Sequence, residues 1–88
     1  MASYKVEIKK SAQKEIRKLP KGIREKVVEK IDKLAADPLP SDTEKIKGLE
    51  SAYRIRQGSY RIVYYVFKSV LLVSVIRVRD RKEVYRDL

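Results

Sequence analysis

Tyr53-Arg54-Ile55-Arg56-Gln57-Gly58-Ser59-Tyr60-Arg61-Ile62-Val63-Tyr64 reads as two strand-like runs meeting at a glycine-containing turn. β-Branched and aromatic residues favour strands, and Gln-Gly-Ser is a hairpin-length link. Along a strand, successive side chains point to opposite faces. Arg54 and Arg56 therefore share one face, Ile55 takes the other, and Arg61 returns on the partner strand. Like charges on neighbouring cross-strand positions repel. A face that gathers guanidinium groups in this way calls for an anionic partner, and a polyphosphate backbone fits that chemistry.

Outward from the hairpin, 70–78 reads as a third strand of the same meander, after 53–57 and 60–67, and it is apolar on both faces, as a central strand should be. Upstream, Tyr4–Lys9 alternates apolar and polar residues, which predicts a strand with one buried face. Ser11 is placed as the N-cap of a helix carrying Ala12, Ile16 and Leu19. Pro20 and Gly22 break it, and Ile23, Val27, Ile31, Leu34 and Ala35 form the apolar stripe of a longer second helix. Asp37-Pro38-Leu39-Pro40 ends that helix, because a residue before proline is pushed out of the helical region. Residues 41–50 are polar, with Ile46 and Leu49 as anchors around Gly48. The tail from Arg79 to Leu88 is charged around Val84 and Tyr85. The expected fold class is α+β, ordered β-α-α-β-β-β. An antiparallel-rich sheet carries an N-terminal helical hairpin packed on one face and a short C-terminal tail.

The 88 residues suit a single domain, 1–88, which buries about two-thirds of its unfolded surface. There is no cysteine and no histidine, which excludes disulfides, thiolate chemistry and the commonest metal ligands. The usual general base near neutral pH is missing too, and no cofactor is expected. The net charge of +10 is unevenly typed. Residues 1–53 hold 13 Lys+Arg, 11 of them lysine, against 9 acids; residues 54–88 hold 9, of which 7 are arginine, against 3 acids. Lysine interleaved with acids marks solvated helix faces, whereas arginine with few acids marks anion recognition. Met1–Lys10 lacks the apolar core of a secretory signal, and the apolar run near residues 70–76 is too short to span a bilayer. A cytoplasmic location and no membrane partner are expected.

The element order, basic charge and absence of cysteine are similar to the RelE/ParE superfamily of bacterial and archaeal toxins. The resemblance rests on Lys47-Gly48-Leu49 before a Tyr-Arg-Ile-Arg strand, on Gly58-Ser59-Tyr60-Arg61-Ile62-Val63-Tyr64, and on Arg79-Asp80-Arg81-Lys82-Glu83-Val84-Tyr85. The C-terminal Arg-x-Arg-x-x-x-Tyr pattern resembles the RelE branch, while ParE-type toxins, which act on DNA gyrase, generally lack it. The resemblance implies a ribosome-dependent endoribonuclease, metal-independent, that cuts mRNA in the 30S A site. It also implies an acidic, RelB-like antitoxin partner in a hetero-oligomer. By resemblance the catalytic positions are Arg56, Arg61, Arg79 and Tyr85, and the RNA-binding positions are Arg54, Arg77 and Arg81. At Arg54 and Arg56 the best-known members carry lysines.

Each position has a plainer reading beside the functional one. Arg61 would be a surface arginine with a carboxylate partner, yet residues 51–79 contain no acid. Arg54 and Arg56 would guard an edge strand against aggregation. Arg79 would pair with Asp80 or Glu83, and Tyr85 would anchor the tail on the core. Arg77 would guard the strand end. Tyr60, Tyr64, Tyr65 and Phe67 would stack bases, but alternation sends most of them inward.

Cleaving RNA without a metal requires the 2′-OH to attack the adjacent phosphate. That takes a base, a charge clamp on the phosphorane and an acid for the leaving oxygen. Arginine suits the clamp and not the base, because it keeps its proton. With Arg56 in the lysine position, Tyr85 becomes the candidate base. Two other classes stay open: a non-enzymatic ParE-like inhibitor of DNA gyrase, and a nucleic-acid-binding module without catalysis.

Overall fold

A computed structural model of the protein describes residues 3–80. The chain runs β1 (Lys5–Ile8), α1 (Lys10–Arg17), α2 (Lys21–Lys33), β2 (Glu44–Lys45), β3 (Ala52–Gln57), β4 (Tyr60–Phe67), a 3-10 turn (Lys68–Val70) and β5 (Leu72–Asp80). One sheet holds all five strands in the order β1-β5-β4-β3-β2. The α+β class and the helical hairpin agree with the sequence reading. Three pairings are antiparallel, and β1 runs parallel to β5.

The helices cover one face. Ala12, Ile16, Leu19, Val27, Ile31 and Leu34 pack against Ile55, Ile62, Tyr64, Val66, Val73, Val75 and Val78. The opposite face carries a smaller apolar group, Ile46, Ala52 and Val63, flanked by Leu49, Tyr65 and Ile76. Ile46 and Leu49 are thus the expected anchors, and they cover only part of that face. Among the described residues nothing packs over the rest.

Three boundaries differ from the sequence reading. Ser11 does not cap α1, whose N-cap is Lys9; the Ser11 hydroxyl instead donates to the Ile76 carbonyl at 2.9 Å. Gly22 lies inside α2, which starts directly after Pro20. The last strand begins at Leu72 rather than at residue 70, because the 3-10 turn and a left-handed Leu71 (φ 52°) intervene. It runs on to Asp80 and takes in Arg79, where a last strand residue is expected at the start of the tail. β2 is a further addition inside a stretch read as loop. Lys30 holds this stretch to α2 through Asp42 (2.6 Å), and that contact lowers the carboxyl's pKa.

A β-bulge sets the phase of β5. Val63 pairs with Arg77 but Tyr64 pairs with Val75, which leaves Ile76 as the extra residue. Val73 and Val75 face the helices, and strict alternation would send Arg77 and Arg79 there as well. With Ile76 inserted, Val78 takes the core position, and Arg77 and Arg79 turn to the open face.

Tyr64 is fully buried, its hydroxyl donating to the Pro38 carbonyl at 2.9 Å beside Thr43 Oγ1 at 3.1 Å. Burial, aided by the Asp42 and Asp37 carboxylates, pushes the phenol from 10.0 up to about 12. The neutral phenol is therefore the favoured folded form. Its stabilisation is complete below about pH 10 and is lost as pH rises through about 12. Urea midpoints should fall more steeply across that window in the wild type than in Tyr64→Phe. The variant itself should cost about 1 kcal/mol at neutral pH.

Candidate functional site

The β3–β4 hairpin closes on Gly58-Ser59, with Gly58 in the left-handed region (φ 62°). A two-residue loop fixes the register, and here it sets Arg56 directly opposite Arg61. On the other side of β4, Arg61 lies directly opposite Arg79. Three strands thus present one row, Arg56–Arg61–Arg79, on the face the helices leave open. The next row is Arg54–Val63–Arg77. All five sheet arginines named from the sequence come together. Arg81 and Tyr85 lie outside the described residues.

Residues opposite each other in a sheet have Cβ atoms about 4.5–5.5 Å apart, and like charges there are destabilising. Among the described residues, Glu44 and Glu15 engage the outer members. Glu44 Oε2 accepts from Arg54 Nη2 at 3.0 Å, which is the cross-strand pair of β2 and β3. Glu15 Oε2 accepts from Arg79 Nε, and Glu15 Oε1 accepts the Val78 N–H at 2.9 Å. Arg79 is therefore paired with a helix residue, Glu15, which the sequence reading does not place beside it; Glu83 lies outside the described residues. Arg61, half-buried at the centre, donates at 3.4 Å to the Tyr60 carbonyl and meets no carboxylate among the described residues. Arg56 is exposed. A shallow depression beside it is lined by Ser41, Asp42, Thr43, Glu44 and Gly58.

This arrangement can grip a phosphate. Guanidinium groups fork onto non-bridging oxygens with charge-assisted bonds, and a row of them stabilises charge that grows on a phosphorane. No group of His, Cys, Asp and Glu side chains suited to a metal occurs among the described residues. Tyr60 packs on the main core and Tyr64 is inside it, so neither stacks on a base from the open face. Tyr65 and Phe67 do share that face, stacked with centroids 5.8 Å apart, towards the opposite end of β4 from Arg61.

Glu15 and Glu44 are the participants that sequence reasoning missed. Glu15 left a faint signal as the one acid in α1. Glu44 left none, since it lies in a stretch with no periodicity.

A sequence model described as the ParE toxin of type II toxin–antitoxin system, parDE, matches residues 6–85. The mRNA interferase toxin RelE of Escherichia coli K12 is 34% identical over 89 residues, covering 97% of this chain and 93% of that protein. The putative toxin RelE1 of Methanocaldococcus jannaschii is 29% identical over 87 residues, covering 96% and 97%. Among solved structures, the archaeal RelE–RelB complex from Pyrococcus horikoshii superposes with a TM-score of 0.82 at 29% identity, covering 93% of this chain and 99% of that one.

Proposed function

Because the chain belongs to the RelE/ParE superfamily of type II toxin–antitoxin toxins, we propose that it is a ribosome-dependent, metal-independent endoribonuclease that cuts mRNA in the ribosomal A site. The observation that carries this reading is the cross-strand row Arg56–Arg61–Arg79. Such a row costs stability in the free protein and becomes favourable when a phosphate lies on it. Relatives named mRNA interferase support the same activity.

In this mechanism Arg61 and Arg79 clamp the scissile phosphate and stabilise the phosphorane as the 2′-OH attacks. Arg56 adds its charge to that clamp, and Arg54, Arg77 and Arg81 hold the flanking backbone. Tyr85 takes the proton from the 2′-OH as general base. Water protonates the leaving oxygen with Arg79 as hydrogen-bond donor. The products are a 2′,3′-cyclic phosphate and a 5′-OH. The ribosome holds the mRNA in line, so the toxin itself needs no deep pocket. An acidic antitoxin of the RelB kind silences the toxin by covering this face. Charge steering speeds the encounter, and apolar contact sets its lifetime.

Primer extension on translated mRNA with and without the toxin tests the reading: breaks phased with codons, absent on naked mRNA, are expected. Tyr85→Phe should fold and bind antitoxin normally and lose about 10²-fold in single-turnover cleavage. Arg56→Lys keeps the charge and adds a group that titrates, so activity should hold or rise. Full activity in Tyr85→Phe across pH would return the tail to a packing role. The ParE match gives a second reading some footing, namely inhibition of DNA gyrase. A supercoiling assay that stalls, with mRNA intact, would favour it.

A further inference from the structure

Beyond Val75, β5 has no sheet neighbour on its β1 side among the described residues. The β1 ladder stops with Lys9 N–H donating to the Val75 carbonyl at 2.9 Å. Helix α1 takes over from there. Ser11 satisfies the Ile76 carbonyl, and Glu15 Oε1 satisfies the Val78 N–H. The other oxygen of that carboxylate holds Arg79 Nε. The Glu15 side chain is 17% exposed, whereas that of Glu44, the partner of Arg54, is 69% exposed. An exposed pair of the Glu44 kind adds little order. Glu15 differs, because one sheltered carboxylate fixes the backbone of β5 and the guanidinium of Arg79 together.

We propose that Glu15 is a positioning residue for the phosphate site, holding Arg79 in line with Arg61 before substrate arrives. The proposal rests on the interferase reading above. It assigns to α1 a task beyond packing. A long, flexible arginine is pre-set in one orientation, so that less ordering remains to be done as charge builds on the phosphorane.

Glu15→Gln tests it, because glutamine keeps the length and an acceptor for the Val78 N–H and removes the charge that holds Arg79. Single-turnover cleavage on programmed ribosomes at saturating toxin should fall about 10- to 100-fold. The toxin concentration at half-saturation should move less than about twofold. In an Arg79→Ala background the same substitution should cost less than about twofold, since its effect passes through Arg79. Equal losses in both backgrounds, or no loss in the wild-type one, would overturn the proposal. A second measurement does not depend on cleavage. The Arg79 Nε–H should exchange with water more slowly than that of Arg56, and Glu15→Gln should erase the difference. Equal exchange in the wild type overturns the tether outright. A protected Arg79 in a wild-type protein that cleaves nothing would instead sink the interferase reading, and the positioning role with it.

Discussion

Arg61→Ala should lower ribosome-dependent mRNA cleavage by about 10³-fold, or about 4 kcal/mol of transition-state stabilisation, and leave the fold intact. Arg61 stands at the middle of the row, opposite both Arg56 and Arg79. Whatever phosphate the row holds must lie across it. Among the described residues its own tie to the protein is slight: one 3.4 Å bond to the Tyr60 carbonyl. Removing the guanidinium also removes two cross-strand repulsions, each worth a few tenths of a kcal/mol. The melting temperature should therefore stay level or rise slightly. Single-turnover cleavage and thermal circular dichroism on one preparation check both halves. A melting point lowered by more than about 5 °C, roughly 1 kcal/mol in a domain this small, would mean that Arg61 is structural.

Val73→Asp should unfold the protein at 25 °C. Val73 is wholly buried on β5, between β1 and β4, and packs in the main core under the helices. A carboxylate there meets no cation and leaves water, at a cost of several kcal/mol. Small domains have about 5 kcal/mol or little more to lose. Far-UV circular dichroism should lack a cooperative melt. Val73→Ala, which leaves a cavity and no charge, should cost about 2–3 kcal/mol and still fold. A cooperative transition in Val73→Asp near the wild-type temperature would mean that this position reaches solvent.

The features legible in the sequence are those with a short period. Alternation of Tyr53, Ile55 and Ile62 against Arg54, Arg56 and Arg61 predicts which face each residue takes, and Gly58 predicts the turn that joins them. Helical spacing likewise picks out Ile16, Val27 and Ile31, all buried. Non-local relations leave no such trace. The parallel pairing of β1 with β5 joins residues more than sixty positions apart, and nothing in Lys5–Ile8 names its partner. Ser11 looks like a cap because capping is the local use of serine; tertiary contact with Ile76 wins instead. Glu15 and Glu44 reach arginines 64 and 10 positions away, and charge patterning sees only nearby pairs. Two residues of β2 are too few to show any alternation.

The extra residue in β5 gives the molecule a dependence on parity. Inside and outside alternate along a strand, so one odd residue inverts everything that follows it. Ile76 is that residue, and everything up to Asp80 is read in the frame it sets. Side chains on this strand can be exchanged one at a time, each with a graded effect. Whether Ile76 bulges out of the ladder allows no such gradation. Were Ile76 to stay and the strand to run regularly through it, both arginines would turn beneath the helices and Val78 would come out; were Ile76 removed, Val75 and Val78 would still face in and both arginines out. The strand thus tolerates loss of the extra residue and does not tolerate loss of the bulge around it.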